Sequence, residues 1–378
     1  MERLKVAILP AGRFGIAIGS VFAANGYSVT LGYRPEGDRS EERCRQFNDS
    51  RTDDRFPGTI FPNNIDASTD LKRLAATANL IVIGTGSQNV ERFFNETIKP
   101  VRRPETEILS PVKGFVPRTN QRISEFLISQ DKSLKKRVAV LSGPNYAHEI
   151  IRHLPTVTVI ASKNQGLAKR LQINLSTPTF RPYISNDVIG VELAGGLKTA
   201  FALALAMVAG MKQGENAFGA MTAAITWEML HLAVTLGADQ NTIINFAGIG
   251  DLVTSSRPPG RNYEAGFRIG QGEDPQDVLR SLAAEKVTVE GFDTVRSAVV
   301  LAKRKKVEVP ILEALEAVIY KGLTLEEAGI KLMNRDLTYA GPQPVIDPRV
   351  IRWINKVLHV WGRKHRVTQP NPRFFGLW

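Results

Sequence analysis

The sequence predicts an α/β fold, with a doubly wound, mainly parallel sheet in residues 1–186 and an all-α portion in residues 187–336. Three observations predict it. Short apolar runs alternate with helical periodicity along the first half of the chain. The first of these runs enters a glycine-containing turn that opens a helix. Beyond Asp187 a 3.6-residue period takes over almost throughout.

Residues 4–9 read as a strand, followed by the turn Pro10-Ala11-Gly12-Arg13-Phe14-Gly15 and a helical pattern that ends at Asn25-Gly26. Residues 27–31 form the next strand. Strand, glycine turn, helix and strand within about 30 residues open a Rossmann-type dinucleotide-binding unit. Gly12, Arg13, Phe14 and Gly15 fall where the backbone and a helix N-terminus meet a pyrophosphate. Pro10 holds the place of the first of the three glycines, so the fingerprint is partial. A NAD site normally has an acid after the second strand, for the ribose hydroxyls. This chain has Arg34, which suits a 2′-phosphate or stacking on adenine, with Glu36 and Asp38 close behind. The expected cofactor is NADP(H) by preference, with NAD(H) also admitted.

The alternation continues with a strand at 79–84 and a helix opened by Ser87. Strands at 106–110 and 137–141 lead into Pro111-Val112-Lys113-Gly114 and Ser142-Gly143-Pro144-Asn145-Tyr146-Ala147. Strands at 156–160 and 180–184 close the series. Ligands bind at the carboxyl ends of such strands, where Gly12, Arg34, Ser87, Lys113 and Gly143 fall.

Residues 188–210 read as one helix with Asp187 as its N-cap. No residue from 199 to 211 is charged, and a helix apolar all round is a core helix or a membrane span. The uncharged run is shorter than the roughly 18 residues a span needs, and Glu192 and Lys198 interrupt it upstream. A buried core helix is expected. Gly195 and Gly196 each disfavour a helix by about 1 kcal/mol relative to Ala, which points to another backbone or a ligand coming close. Lys198 is either desolvated, with a lowered pKa, or carried to the surface along its own stem. Further helices are expected at 219–236, 239–246, 263–270, 274–282, 290–304, 310–321 and 325–332, with a break at 247–253.

The length leaves room for two domains, and 43% hydrophobic and 23% charged residues are ordinary for a globular protein. Cys44 is the one cysteine, which excludes an internal disulfide and a Cys-rich zinc framework. The five histidines show no ligand spacing, so no metal is expected. Residues 1–5 run straight into a strand without an export signal, and a reducing cytosol is the expected location. The net charge is +12, and residues 339–378 hold seven Lys/Arg against one acid, together with three of the four tryptophans. A basic, aromatic tail suits an anionic membrane or nucleic acid. However, Val350, Trp353, Ile354, Val357 and Trp361 recur at helical spacing. The reading adopted for 337–378 is therefore a packed extension, without nucleic acid and with peripheral membrane contact as the alternative.

Taken in order, the motifs resemble NAD(P)-dependent glycerol-3-phosphate dehydrogenase from about residue 4 to Asp336. The resemblance rests on Ser110-Pro-Val-Lys-Gly114, Leu141-Ser-Gly-Pro-Asn-Tyr-Ala147 and the Asp187-to-Lys198 run Asp-Val-Ile-Gly-Val-Glu-Leu-Ala-Gly-Gly-Leu-Lys. It continues through Gly248-Ile-Gly-Asp-Leu252, Gly260-Arg-Asn262 and Val289-Glu-Gly291. It implies reversible hydride transfer between NAD(P)H and dihydroxyacetone phosphate, giving sn-glycerol 3-phosphate for glycerophospholipid synthesis, in a homodimer. Lys198 is then the general acid/base, Asp251 the carboxylate that orients it, and Lys113 a substrate-pocket lysine. Arg261 and Asn262 match a phosphate-binding pair. Ser87, Ala147, Arg261 and Glu290 fall at the cofactor, and Gly143, Asn145 and Thr199 near the substrate.

Departures from the family pattern are Pro10, the segment Gly84-Thr85-Gly86, Asn145 in place of a small hydroxyl residue, and Thr199 in place of asparagine. The segment between Asp251 and Arg261 is one residue short, and the tail has no counterpart. Two alternatives stand beside this reading. One is a same-fold dehydrogenase of another small phosphorylated or carboxylated alcohol, the other a non-catalytic nucleotide-binding paralogue.

Overall fold

The computed structural model describes residues 4–34, 39–285 and 287–334. The expected extension at 337–378, with its tryptophans, lies outside the described residues, as do Glu36 and Asp38. Strands β1 (Lys5–Leu9), β2 (Ser28–Gly32), β3 (Ile65–Ser68), β4 (Leu80–Ile83) and β5 (Glu107–Ser110) belong to one sheet. Strands β6 (Phe115–Val116) and β7 (Gln121–Arg122) pair as a separate hairpin, and β8 (Val138–Ser142), β9 (Thr156–Ala161) and β10 (Phe180–Ser185) return to the sheet. The eight-stranded order is β10-β9-β8-β5-β4-β1-β2-β3, parallel throughout except between β8 and β9.

Helices α1 (Arg13–Ala24), α2 (Ser40–Ser50), α3 (Leu71–Thr77), α4 (Ser87–Phe93), α5 (Ile123–Gln130), α6 (Ala147–Ile151) and α7 (Gln165–Leu175) lie between the strands. They cover both faces, which is why the strands read as unbroken apolar runs rather than alternating ones. In β1, Val6 and Ile8 enter the core shared with α1 and α7, while Ala7 and Leu9 enter the core on the opposite face.

The all-α portion begins with α8 (Val188–Gly210), capped by Asp187, whose Oδ1 accepts the Gly190 N–H at 2.9 Å. It continues with α9 (Glu215–Thr235), α10 (Gln240–Ile243), α11 (Asp251–Ser255), α12 (Arg261–Gly270), α13 (Pro275–Ala284), α14 (Glu290–Lys305), α15 (Pro310–Lys321) and α16 (Leu325–Met333). The residues of α8 share one continuous core with Ile81 and Val140 of the sheet and with Val295 and Leu312 of the later helices.

Two features of α8 explain how an apolar helix carries charge and glycine. Glu192 is buried, and its carboxylate accepts from Arg122 Nη1 at 2.7 Å, Ser124 N at 2.7 Å and Ser124 Oγ at 2.6 Å. Burial raises the Glu192 pKa against the opposing pull of Arg122 and Ser124. The glycine pair permits close seating on the sheet. A Cβ at Gly195 would stand 2.5 Å from Ser142 Oγ, and one at Gly196 would stand 3.3 Å from Gly114 Cα.

Several elements differ from expectation. Helices α2 and α3, strand β3 and the β6–β7 hairpin are additional. The helix at 239–246 shrinks to α10, and the expected break at 247–253 is helical. There a π turn over Phe246–Gly250 runs directly into α11. Gly248 and Gly250 lower helix propensity enough to mask that turn in the sequence. Helix α9 starts four residues earlier than expected, at Glu215. Its outer face carries Ala220, Ala223, Ala224, Trp227 and Val234, with Trp227 51% exposed.

Candidate active site

The turn after β1 and the end of β4 meet backbone to backbone. A Cβ at Gly12 would lie 2.7 Å from the Gly84 carbonyl oxygen, and one at Gly84 would lie 2.0 Å from that of Pro10. Gly84 is therefore the residue that fits beside this turn. Gly12 is the N-cap of α1. The first-turn N–H groups of a helix have no intrahelical acceptor, so Arg13, Phe14 and Gly15 offer theirs to an anion at this end. A turn that bears no side chain at Gly12, closed onto a helix N-terminus, fits a dinucleotide pyrophosphate.

Arg34 follows β2. Its Nη2 donates to Thr85 Oγ1 at 2.6 Å, and its guanidinium lies 5.5 Å from the centre of the Phe93 ring. It lines a cavity of about 340 Å³ together with Lys72, Asn89 and Arg92. The nearby carboxylate of Asp53 is committed elsewhere, accepting from Tyr33 Oη at 2.7 Å and from Arg55 at 2.6–2.7 Å. Burial works against that charge, but the Arg55 bonds prevail and lower the Asp53 pKa. Arg55 also donates to the Ala11 carbonyl, which ties this network to the glycine turn. Ser87 opens α4 and is buried beside Gly114, where an added Cβ would stand 3.0 Å from Ser87 Oγ.

The strand ends and α8 bring Lys113, Lys198 and Asp251 together. Lys198 Nζ lies 2.9 Å from Asp251 Oδ1, and Lys113 Nζ lies 2.5 Å from Asp251 Oδ2. Lys113 Nζ also donates to the Gly143 carbonyl at 3.1 Å. Lys198 is 5% exposed and Asp251 1% exposed, which rules out a lysine carried to the surface on its own stem. Burial lowers the Lys198 pKa to about 8, helped by the charge of Lys113 and opposed by Asp251 and Glu290. Such a lysine is mostly protonated at neutral pH, yet gives up its proton readily. Sequence reading missed Ser255, whose hydroxyl accepts from Lys198 Nζ and donates to Asp251 Oδ1 at 3.3 Å. Its signal is the four-residue spacing from Asp251 on α11, hidden by the unrecognised helix.

Arg261 is the first residue of α12, with 55% of its side chain exposed and Nη2 3.9 Å from Glu290 Oε1. Asn262 Oδ1 accepts the Gly291 N–H at 3.0 Å, linking α12 to the start of α14. Ala147 opens α6, and Glu290 opens α14. Asn145 and Thr199, expected at the substrate, have their side chains bonded into the fold. Asn145 Nδ2 donates to the Val157 carbonyl at 2.7 Å, and its Oδ1 accepts from Thr158 Oγ1 at 3.0 Å. Thr199 Oγ1 bonds the Gly196 carbonyl at 2.7 Å and Thr294 Oγ1 at 3.0 Å, joining α8 to α14.

A family model described as NAD-dependent glycerol-3-phosphate dehydrogenase N-terminus matches residues 5–168, and its C-terminus counterpart matches residues 187–329. A glycerol-3-phosphate dehydrogenase [NAD(P)+] of Streptomyces avermitilis is 35% identical over 334 residues, covering 88% of this chain and 97% of that protein. The Thermobifida fusca protein of the same name is 36% identical over 337 residues, covering 88% and 97%. Among solved structures, glycerol-3-phosphate dehydrogenase from Coxiella burnetii superposes with a TM-score of 0.79 at 27% identity, covering 88% of this chain and 99% of that one.

Proposed function

The chain belongs to the NAD-dependent glycerol-3-phosphate dehydrogenase family, and on that premise we propose how its pocket interconverts dihydroxyacetone phosphate and sn-glycerol 3-phosphate with NAD(P)H. The observation that carries the reading is the single carboxylate of Asp251 held between Lys113 and Lys198. Reduction of a ketone builds negative charge on its oxygen, and a cationic donor beside that oxygen both stabilises the charge and supplies a proton. Lys198 is that donor. Asp251 and Ser255 fix its ammonium, and Lys113 adds a second positive charge held by the Gly143 carbonyl. Arg261 and the N-terminal N–H groups of α12 take the substrate phosphate. In the oxidative direction, neutral Lys198 accepts the alcohol proton.

Gly12, Arg13, Phe14, Gly15, Arg34, Ser87, Ala147 and Glu290 would hold the dinucleotide. The nicotinamide, when bound, supplies or receives the hydride. The finer proposal is a preference for NADPH. Arg34, Lys72 and Arg92 outnumber Asp70 and Glu96 around one cavity, which favours a 2′-phosphate, and the Asp53 carboxylate is engaged by Tyr33 and Arg55 rather than offered to a ribose. The proposed assembly is a homodimer, supported by the exposed Ala220, Ala223, Ala224, Trp227 and Val234 of α9. The proposed setting is the cytosol, in line with a lone, buried, free Cys44, and the proposed role is supply of the phospholipid backbone. The intact cluster of Lys113, Lys198 and Asp251 argues against a non-catalytic paralogue. Incubation with NADPH and dihydroxyacetone phosphate, following reduced-nicotinamide absorbance and identifying the product, tests the reading. Absence of both NADPH loss and glycerol 3-phosphate would refute it.

A further inference from the structure

The turn that carries the chain from α11 to Arg261 has an unusual shortage of backbone donors. Helix α11 ends at Ser255, and its last carbonyls have no intrahelical partner. For Thr254, the residue four places on, which would return an N–H, is Pro258, and Pro259 follows it; neither has an N–H. The Thr254 carbonyl is satisfied from across the pocket instead. Tyr146 Oη donates to it at 2.9 Å and lies 3.5 Å from the Arg257 carbonyl. The same hydroxyl stands 3.0 Å from where a Cβ on Gly260 would be, so the N-cap of α12 closes directly onto it. Tyr146 is itself the N-cap of α6, and its ring stacks on His148 at 5.5 Å between centroids. One side chain thus joins the loop after β8 to the segment between Asp251 and Arg261.

We propose that Tyr146 is a positioning residue for the phosphate end of the substrate, its hydroxyl holding the residue 254–260 turn so that Arg261 and the α12 N-terminus face the pocket. This rests on the dehydrogenase reading, with Arg261 at the phosphate. Burial, together with the charges of Asp251 and Glu149, pushes the Tyr146 pKa up to about 12, so the phenol stays a neutral donor at working pH. The turn also carries Ser255, which bonds Lys198. Ser255 is also held by Asp251 from within α11, so loosening the turn would act mainly on substrate binding and less on proton transfer.

Tyr146→Phe keeps the ring and its stacking and removes only the hydroxyl. KM for dihydroxyacetone phosphate should rise about three- to tenfold, the worth of one neutral hydrogen bond, with a smaller fall in kcat and no change in KM for NADPH. Discrimination between dihydroxyacetone phosphate and unphosphorylated dihydroxyacetone should fall by the same factor. Calorimetric titration of NADPH-saturated enzyme with inorganic phosphate, and with glycerol 3-phosphate, reads the clasp without turnover. Both ligands should bind about three- to tenfold more weakly to the variant. Wild-type turnover tests the dehydrogenase reading separately. A variant with wild-type KM and wild-type phosphate affinity, whatever its melting temperature, overturns the proposal and leaves Tyr146 a purely structural cap.

Discussion

Asp251 and Lys198 form a buried pair in which the carboxylate is shared. Oδ1 lies 2.9 Å from Lys198 Nζ, while Oδ2 lies 2.5 Å from Lys113 Nζ. Two ammonium groups on one carboxylate leave a net positive charge in a site that is nearly closed to water. Burial makes that charge costly unless it is paired, and it makes any oxygen entering the site a strong partner for it. The same arrangement sets the pKa of Lys198, because burial and Lys113 act downward while Asp251 acts upward.

Asp251→Asn removes the shared counter-charge and leaves two lysines facing each other. Breaking a buried pair from one side costs about 3–5 kcal/mol, less whatever is recovered when Lys198 loses its proton. The variant should melt well below the wild type, and Lys198 should titrate lower still. Scanning calorimetry with a pH–rate profile checks both. An unchanged melting temperature and an unchanged profile would contradict the shared-carboxylate account.

The pH dependence has a definite sign. Ketone reduction needs protonated Lys198, whose pKa lies near 8. On the alkaline side, kcat/KM for dihydroxyacetone phosphate should be level up to about pH 8 and then fall tenfold per unit. Oxidation of glycerol 3-phosphate needs the neutral amine and should rise through the same range. Initial rates in both directions from pH 6.5 to 10, at constant ionic strength, test it. A reductive rate that stays flat to about pH 10 would assign the proton to another group.

Lys198 was legible in the sequence because it sits on a strongly patterned element, whereas the places of Lys113 and Asp251 came from the family resemblance. Asp187, the apolar run behind it and Lys198 mark α8 to within a residue. What could not be read has physical causes. Helix α2 buries only Cys44 and Phe47 among its apolar residues, too few to set a period. Ser255 reaches Lys198 only because a glycine-rich π turn flows into α11, and glycines argue for a loop when no tertiary contacts are known. The expected substrate contacts of Asn145 and Thr199 came from resemblance alone. The hydrogen bonds to Val157 and Thr294 that engage these side chains cross between distant segments, which no local pattern records.

Arg34→Ala should raise KM for NADPH at least tenfold and change KM for NADH by less than about threefold, because only NADPH has a 2′-phosphate for the guanidinium. Lys72 and Arg92 line the same cavity and should retain part of the affinity. Titrations of both cofactors at one salt concentration check this. Equal losses would show that Arg34 serves adenine or the Thr85 contact and does not read the phosphate.

The central claim is that Lys198 delivers the proton in a dihydroxyacetone phosphate reductase. Its most direct test is NADPH oxidation by wild type and by Lys198→Met, at pH 7 and saturating dihydroxyacetone phosphate. Methionine keeps an apolar stem in the buried position and removes the donor. The account predicts stoichiometric glycerol 3-phosphate from the wild type, and a variant that still binds NADPH but turns over about 10²–10⁴ times more slowly. A variant within a few-fold of wild-type turnover would contradict it.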